Sequence, residues 1–208
     1  MKLSLMSLTA AILVLPSLAY GAEYEIDSTN SVALFSVKHM MVSNVRGTFT
    51  KVTGTAHIDE KDLTKSKVDA TIDASTVNTN DAKRDEHLRA PDFFDTAKYP
   101  TITFKSTKVE KARAGLKVTG NLTIRGVTKP VVLDVDGFDT VSKDPYGNTK
   151  RGGAATTKIN RKDFGLSWNA LLETGGMAVG EEVTITLDIQ MNQKRPAQPA
   201  PAATNSAP

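Results

Sequence analysis

The sequence predicts an all-β, antiparallel domain of about eight strands with one short helix. Three observations carry that reading. Apolar and polar residues alternate with a period of two over most of the chain, which sends successive side chains to opposite faces of a strand. Clusters of Gly, Asn, Asp, Ser and Pro separate the alternating runs. Only residues 81–89 carry the start and stop signals of a helix, with Asn80 or Asp81 as cap and Pro91 as terminator.

Taken in order, residues 1–21 read as an export segment. Lys2 supplies a positive start, Leu3 to Leu18 an apolar stretch, and Ser17-Leu18-Ala19 or Ala19-Tyr20-Gly21 the small residues of a cleavage site. A retained membrane anchor would need a longer run. Ala33, Phe35 and Val37 open the first alternating stretch, at residues 31–39. Within residues 45–58 the apolar parity switches between Phe49 and Val52, which predicts a bulge or sharp bend. Val68, Ala70, Ile72 and Ala74 alternate next, then comes the helix, then a strand over residues 101–109. Leu116, Val118, Gly120, Leu122 and Ile124 form another apolar row, followed by weaker alternation at residues 131–138 and 153–159. Val183, Ile185, Leu187, Ile189 and Met191 make the clearest strand of all. Turn signals fall at Ser43-Asn44, Ala114-Gly115, residues 126–130, residues 144–148 and Gly175-Gly176. Residues 193–208 are rich in Pro and Ala without apolar periodicity and read as a disordered tail. The folded domain is thus expected at residues 22–192.

Eight long strands with one wet stripe can close on themselves or stack as two sheets, and closure removes exposed edges. The stripe rich in Lys, Asp and Thr suits water, and 12 aromatic residues would hardly supply the girdles of an outer-membrane barrel, since the chain has 7 Phe, 4 Tyr and 1 Trp. Beyond the first two dozen residues no apolar run approaches the roughly 20 residues of a spanning helix, so a soluble mature chain is expected.

The 26 basic and 23 acidic residues are interleaved, as in Lys83-Arg84-Asp85-Glu86, so no stripe for nucleic acid is expected despite the net charge of +3. With no cysteine, stability rests on burial and backbone pairing. His39, His57 and His87 lack zinc-ligand spacing, no Gly-x-Ser-x-Gly elbow occurs, and Gly152-Gly153 and Gly175-Gly176 lack the strand-to-helix setting of a phosphate loop. No metal or cofactor is expected, and no local catalytic motif occurs, which leaves open a triad assembled in space.

The apolar stripe holds many small residues, among them Ala33, Gly54, Ala56, Ala70, Ala74, Gly120 and Ala155. A closed sheet of eight strands lined by small side chains leaves space for one ligand; the alternative is a core in which small residues face large ones. His39 continues the parity of Phe35 and Val37 and is expected on the inner side, bonded either to backbone or to a ligand. Arg84, Asp85, His87 and Leu88 share one short helix that spacing alone leaves as a solvated charged surface.

Several segments in register, including Phe35-Ser36-Val37-Lys38-His39, Val45-Arg46-Gly47-Thr48-Phe49, Arg84-Asp85-Glu86-His87-Leu88, Asp92-Phe93-Phe94-Asp95, Tyr99-Pro100-Thr101-Ile102-Thr103-Phe104, the run from Gly120 to Val131 and Ile159-Asn160-Arg161-Lys162-Asp163-Phe164-Gly165-Leu166, resemble the YceI-like family over nearly all of residues 23–192. The resemblance implies an eight-stranded, lipocalin-like antiparallel barrel with a helix near one end of its pore. It also implies export to the bacterial periplasm, and an interior that holds a polyisoprenoid, quinone-like ones included, or a fatty-acid-like lipid, without catalysis. A homodimer is compatible with it. Carried over by position, His39, Arg84, Asp85, His87, Leu88, Phe93 and Phe94 are expected to border the pore; Phe35, Phe104, Ile124 and Trp168 join them as apolar lining by parity or size. Two rival readings are an enzyme acting on a lipid-linked substrate, with His39, His87 and Asp85 as acid and base groups, and an envelope interaction protein using its surface or tail.

Overall fold

The computed structural model describes residues 21–173 and 175–194. Its strands are β1 Gly21–Ile26, β2 Val32–His39, β3 Ser43–Phe49, β4 Val52–Asp59, β5 Lys67–Asp73, β6 Val77–Asn78, β7 Thr101–Lys111, β8 Leu116–Ile124, β9 Val127–Lys143, β10 Thr149–Asn160 and β11 Val179–Gln193; α1 is Ala82–Arg89. The predicted export segment and tail fall on residues outside the described ones, except that Gly21 opens β1, Gln193 closes β11 and the Lys194 amide donates to the Glu23 carbonyl.

Eleven stretches make an eight-stranded barrel because three of the eight are broken. β1 and β2 lie end to end on the same edge of β11, β3 and β4 continue one another along them, and a helical turn at Ala74–Thr76 separates β5 from β6. Each unit pairs antiparallel with the next in chain order, and β11 pairs with β10 on one side and with β1 and β2 on the other, which closes the ring. Closure pairs every unit on both sides over part of its length, so the free edges left among the described residues are overhanging ends, such as Asp136–Lys143 of β9 and Ser43–Gly47 of β3.

The parity switch after Phe49 is where β3 gives way to β4 across Thr50 and Lys51. β1 escapes a periodicity reading because only Tyr24 and Ile26 are buried in its six residues. The β2–β3 turn occupies residues 40–42, not Ser43-Asn44, which begin β3. In the β8–β9 turn Arg125 and Gly126 alone turn the chain, both with positive φ (50° and 74°), and Pro130 already pairs with Asn121.

Along β11 the side chains of Val183, Ile185, Leu187, Ile189 and Met191 face inward, and those of Leu116, Val118, Leu122 and Ile124 do so along β8. In β7 a register shift between Ser106 and Lys108 changes the inward parity from Phe104 to Val109. Glycines in the inner row do not open the interior as composition suggests. A Cβ on Gly120 would strike the Phe104 ring and the Lys105 carbonyl, one on Gly47 the Phe35 ring, and one on Gly153 the Phe138 ring. Gly54 lies against the Asp69 carbonyl, and Ala74 sits in the turn after β5. The small residues that do face the interior space are Ala33, Ala56, Ala70 and Ala155.

Candidate functional site

One end of the barrel is covered by α1, residues 90–100 and the crossover from β10 to β11. The Asp81 carboxylate caps α1 by accepting from the Arg84 amide, and its pKa is held low by that bond above all. Asp85, 8% exposed, accepts from both the amide and the hydroxyl of Thr79, while Arg84 Nε and Nη2 donate to the Thr79 hydroxyl and carbonyl. Two charged side chains therefore clamp the helix to the end of β6. Arg125 ties the β8–β9 turn to the same cover through the Gly165 and Pro91 carbonyls, both at 2.6 Å.

Beneath this cover the barrel encloses a cavity of about 300 Å³, a size within the range of small-ligand pockets. Its wall is almost wholly apolar. At the covered end Phe35, Phe49 and Phe94 pack in series, with ring centroids 5.7 and 5.5 Å apart, and Leu88 and Phe93 reach the wall from the helix and the segment after it. At the far end the lining includes Ile58, Leu63, Ser66 and Lys67. Beyond the lining lies a buried Arg151. It donates to Glu60 at 2.7 Å and to the Phe138 carbonyl, and it stacks on Tyr24.

Of the sequence-predicted residues, His39, Phe35, Leu88, Phe93, Phe94, Phe104 and Ile124 line the cavity. Arg84, Asp85, His87 and Trp168 do not. Arg84 and Asp85 are committed to Thr79. His87 Nε2 lies 2.6 Å from Asp92, and its ring packs edge-on against Phe93 and Trp168, a small aromatic cluster of which Phe93 alone reaches the wall. The three groups of the acid–base reading thus lie in different settings: Asp85 on Thr79, His87 on Asp92, and His39 at the cavity. Among the described residues no cluster of His, Asp and Glu has the makings of a metal site.

Sequence reasoning missed Arg161. This side chain, 3% exposed, reaches the lining at the covered end and donates to the Gly180, Val179 and Leu166 carbonyls. Burial pulls its pKa below the ordinary arginine value, opposed by the Glu181 carboxylate. No periodicity marks it, because it follows β10 in a helical turn, Arg161–Phe164, capped by Asn160. His39 and Arg161 are the titratable side chains lining this end, and the His39 ring has no hydrogen-bond partner among the described residues.

Three comparisons bear on this geometry. A YceI-like domain model matches residues 24–191. Protein YceI of Escherichia coli is 43% identical over 169 residues, covering 80% of this chain and 88% of that one. The Campylobacter jejuni YceI crystal structure superposes with a TM-score of 0.61 at 33% identity, covering 76% of this chain and 90% of that one. A Saccharophagus degradans domain described as polyisoprenoid-binding shares the fold, with a TM-score of 0.58 at 18% identity over 82% of this chain and 98% of that one. With the family model spanning the whole barrel and curated relatives above 40% identity, the chain is a member of the YceI-like family.

Proposed function

We propose that the chain binds a polyisoprenoid or similar amphiphilic lipid inside the barrel, as a periplasmic carrier, store or stress-response protein. The observation that carries the reading is the apolar cavity, bordered at its covered end by an unpartnered imidazole and a buried guanidinium. The binding described for the Saccharophagus degradans domain of the same fold supports it.

The energetics are adequate. At about 0.8 kcal/mol per buried methylene, a chain of about 20 carbons gains on the order of 16 kcal/mol gross, against roughly 4–15 kcal/mol for association and ordering. Affinity then comes from the hydrocarbon, and the polar end of the ligand is placed beside His39 and Arg161 by the cost of leaving its polar atoms unpaired. On this reading the head group lies at β2 and the crossover rather than at the Arg84–His87 helix, where Arg84 and Asp85 bond Thr79 and His87 bonds Asp92. Quinone-like and fatty-acid-like ligands fit the same scheme.

Organic extraction of the purified protein followed by mass spectrometry is expected to release an isoprenoid or acyl lipid, and the emptied protein is expected to take up added isoprenoid. Ala70→Trp fills the bore from a lining position on β5, so that variant should fold and fail to load. No recovered lipid together with no uptake overturns the reading.

A further inference from the structure

The turn between β2 and β3 contradicts the usual chemistry of turns. Met40 and Met41 hold φ of 52° and 63°, the left-handed region in which Gly, Asn and Asp are the residues that fit. Together with Val42 they are 45%, 62% and 81% exposed. A second loop joins them: the Met40 amide donates to the Ala178 carbonyl at 2.7 Å, and Met41 reaches over Gly176. That loop contributes Leu171, 77% exposed, and Met177, 46% exposed, facing each other across an isolated bridge. Five of the eight large apolar side chains exposed among the described residues therefore project from one place. That place adjoins the cavity. His39 and Val179, paired in register and both in the lining, are the immediate neighbours of Met40 and Ala178.

We infer that this lip docks on a lipid bilayer, inserting its methionines, valine and leucine among the head groups so that the covered end of the cavity meets membrane hydrocarbon. The inference rests on the lipid-binding reading above, since a bilayer is where such a ligand is collected or delivered. Two projecting loop tips suit insertion into an interface, where binding grows with the apolar area submerged. A second copy of the chain is a poorer occupant, because a stable protein interface draws on about 20–30 residues a side. The nearest charged residues back along β2 and β3 are Lys38 and Arg46, both exposed and placed to meet anionic head groups; Glu173 is the acidic residue of the other loop.

The test is flotation with vesicles of phosphatidylethanolamine and phosphatidylglycerol, comparing the protein with a Met40→Asn, Met41→Gly variant. Asn-Gly is the pair that left-handed turn positions favour, so this variant should melt at the same temperature or higher. It should lose roughly tenfold or more of the vesicle-bound fraction while loading isoprenoid from detergent as before. A Leu171→Gln, Met177→Gln variant in the other loop should lose vesicle binding in parallel. Failure of the protein to float, or equal flotation of all forms, overturns the inference. So does a concentration-dependent dimer that the Met40→Asn, Met41→Gly change dissolves without any vesicle binding, which would make a second copy the occupant. Loading from detergent is scored separately, so flotation without loading refutes the cavity's proposed ligand and leaves the docking surface standing.

Discussion

Asp27 sits in the break between β1 and β2, where the chain must leave the ladder without abandoning its backbone groups. Its carboxylate accepts from the Thr29 amide and from the side-chain amides of Asn30, Gln190 and Asn192, at 3.0–3.3 Å. The Asn30 bond leads the causes that hold its pKa below the ordinary carboxylate value, with burial opposing. The sign follows from linkage. A carboxyl with a depressed folded-state pKa contributes stability that is fully present above the unfolded value near 4 and is lost as pH falls through the folded one. Asp27→Ala should therefore cost about 2 kcal/mol at neutral pH, from lost charge-assisted hydrogen bonds. Urea titrations at pH 7 and pH 3 should show the gap between variant and parent narrowing on acidification. An unchanged gap would mean that the carboxylate's charge contributes nothing to the join. Asp27, with the Ser31 hydroxyl that donates to the Gln190 carbonyl and accepts from the Gln190 amide, explains why the strand can break here and still close a barrel. Nothing in the alternation of Ala33, Phe35 and Val37 announces that role, because hydrogen bonds between residues over 150 positions apart leave no local pattern.

At the scale of an element, α1 was legible as a helix and illegible as a part. Asp81 and Pro91 bracket it in the sequence, and the helix runs Ala82–Arg89 with Asp81 as its cap. Its polar composition reads as a solvated surface, yet Asp85 is buried and Arg84 is turned onto Thr79, so the charges fasten the cover and Leu88 supplies the apolar contact with the cavity. Asp85→Asn keeps the shape and an acceptor oxygen but removes the negative charge on which the Thr79 amide and hydroxyl converge. It should lower stability by about 1–3 kcal/mol and speed amide exchange over residues 79–96 more than in β8 or β9. Uniform acceleration across the barrel would show instead that the cover is not a separate unit. The strands were more legible than the helix's role, because inward and outward faces repeat every two residues and burial enforces the register. What resisted reading were the places where parity is reset. The Ser106–Lys108 shift in β7 and the positive φ of Gly137 and Phe138 in β9 both re-aim side chains, and Phe138 reaches the cavity from a position that strict alternation sends outward. The cavity wall was partly legible for the same reason: Phe35, Phe104, Ile124 and His39 follow parity, whereas Arg161 arrives from a helical turn.

For the whole molecule, the decisive balance lies between filling and hollowness. Phe104 over Gly120, Phe35 over Gly47 and Phe138 over Gly153 pack large against small and give the sheet its rigidity. Ala33, Ala56, Ala70 and Ala155 face a space that no protein side chain fills. Such a wall forfeits dispersion contacts that a dense core would keep, so the empty barrel is less stable than its size allows. A lipid that enters only the folded state restores those contacts. By mass action it stabilises by about 2.7 kcal/mol at a hundredfold excess over Kd. For a domain of this size that corresponds to a rise in Tm of roughly 5–10 °C. Delipidated protein scanned against increasing isoprenoid should show this graded rise. Ala70→Trp should start with a higher Tm than the empty parent if the indole packs in the bore, and should not respond to lipid. A parent whose Tm is indifferent to isoprenoid, or a variant that responds as the parent does, would place any bound lipid outside the barrel and leave the cavity as a defect of packing.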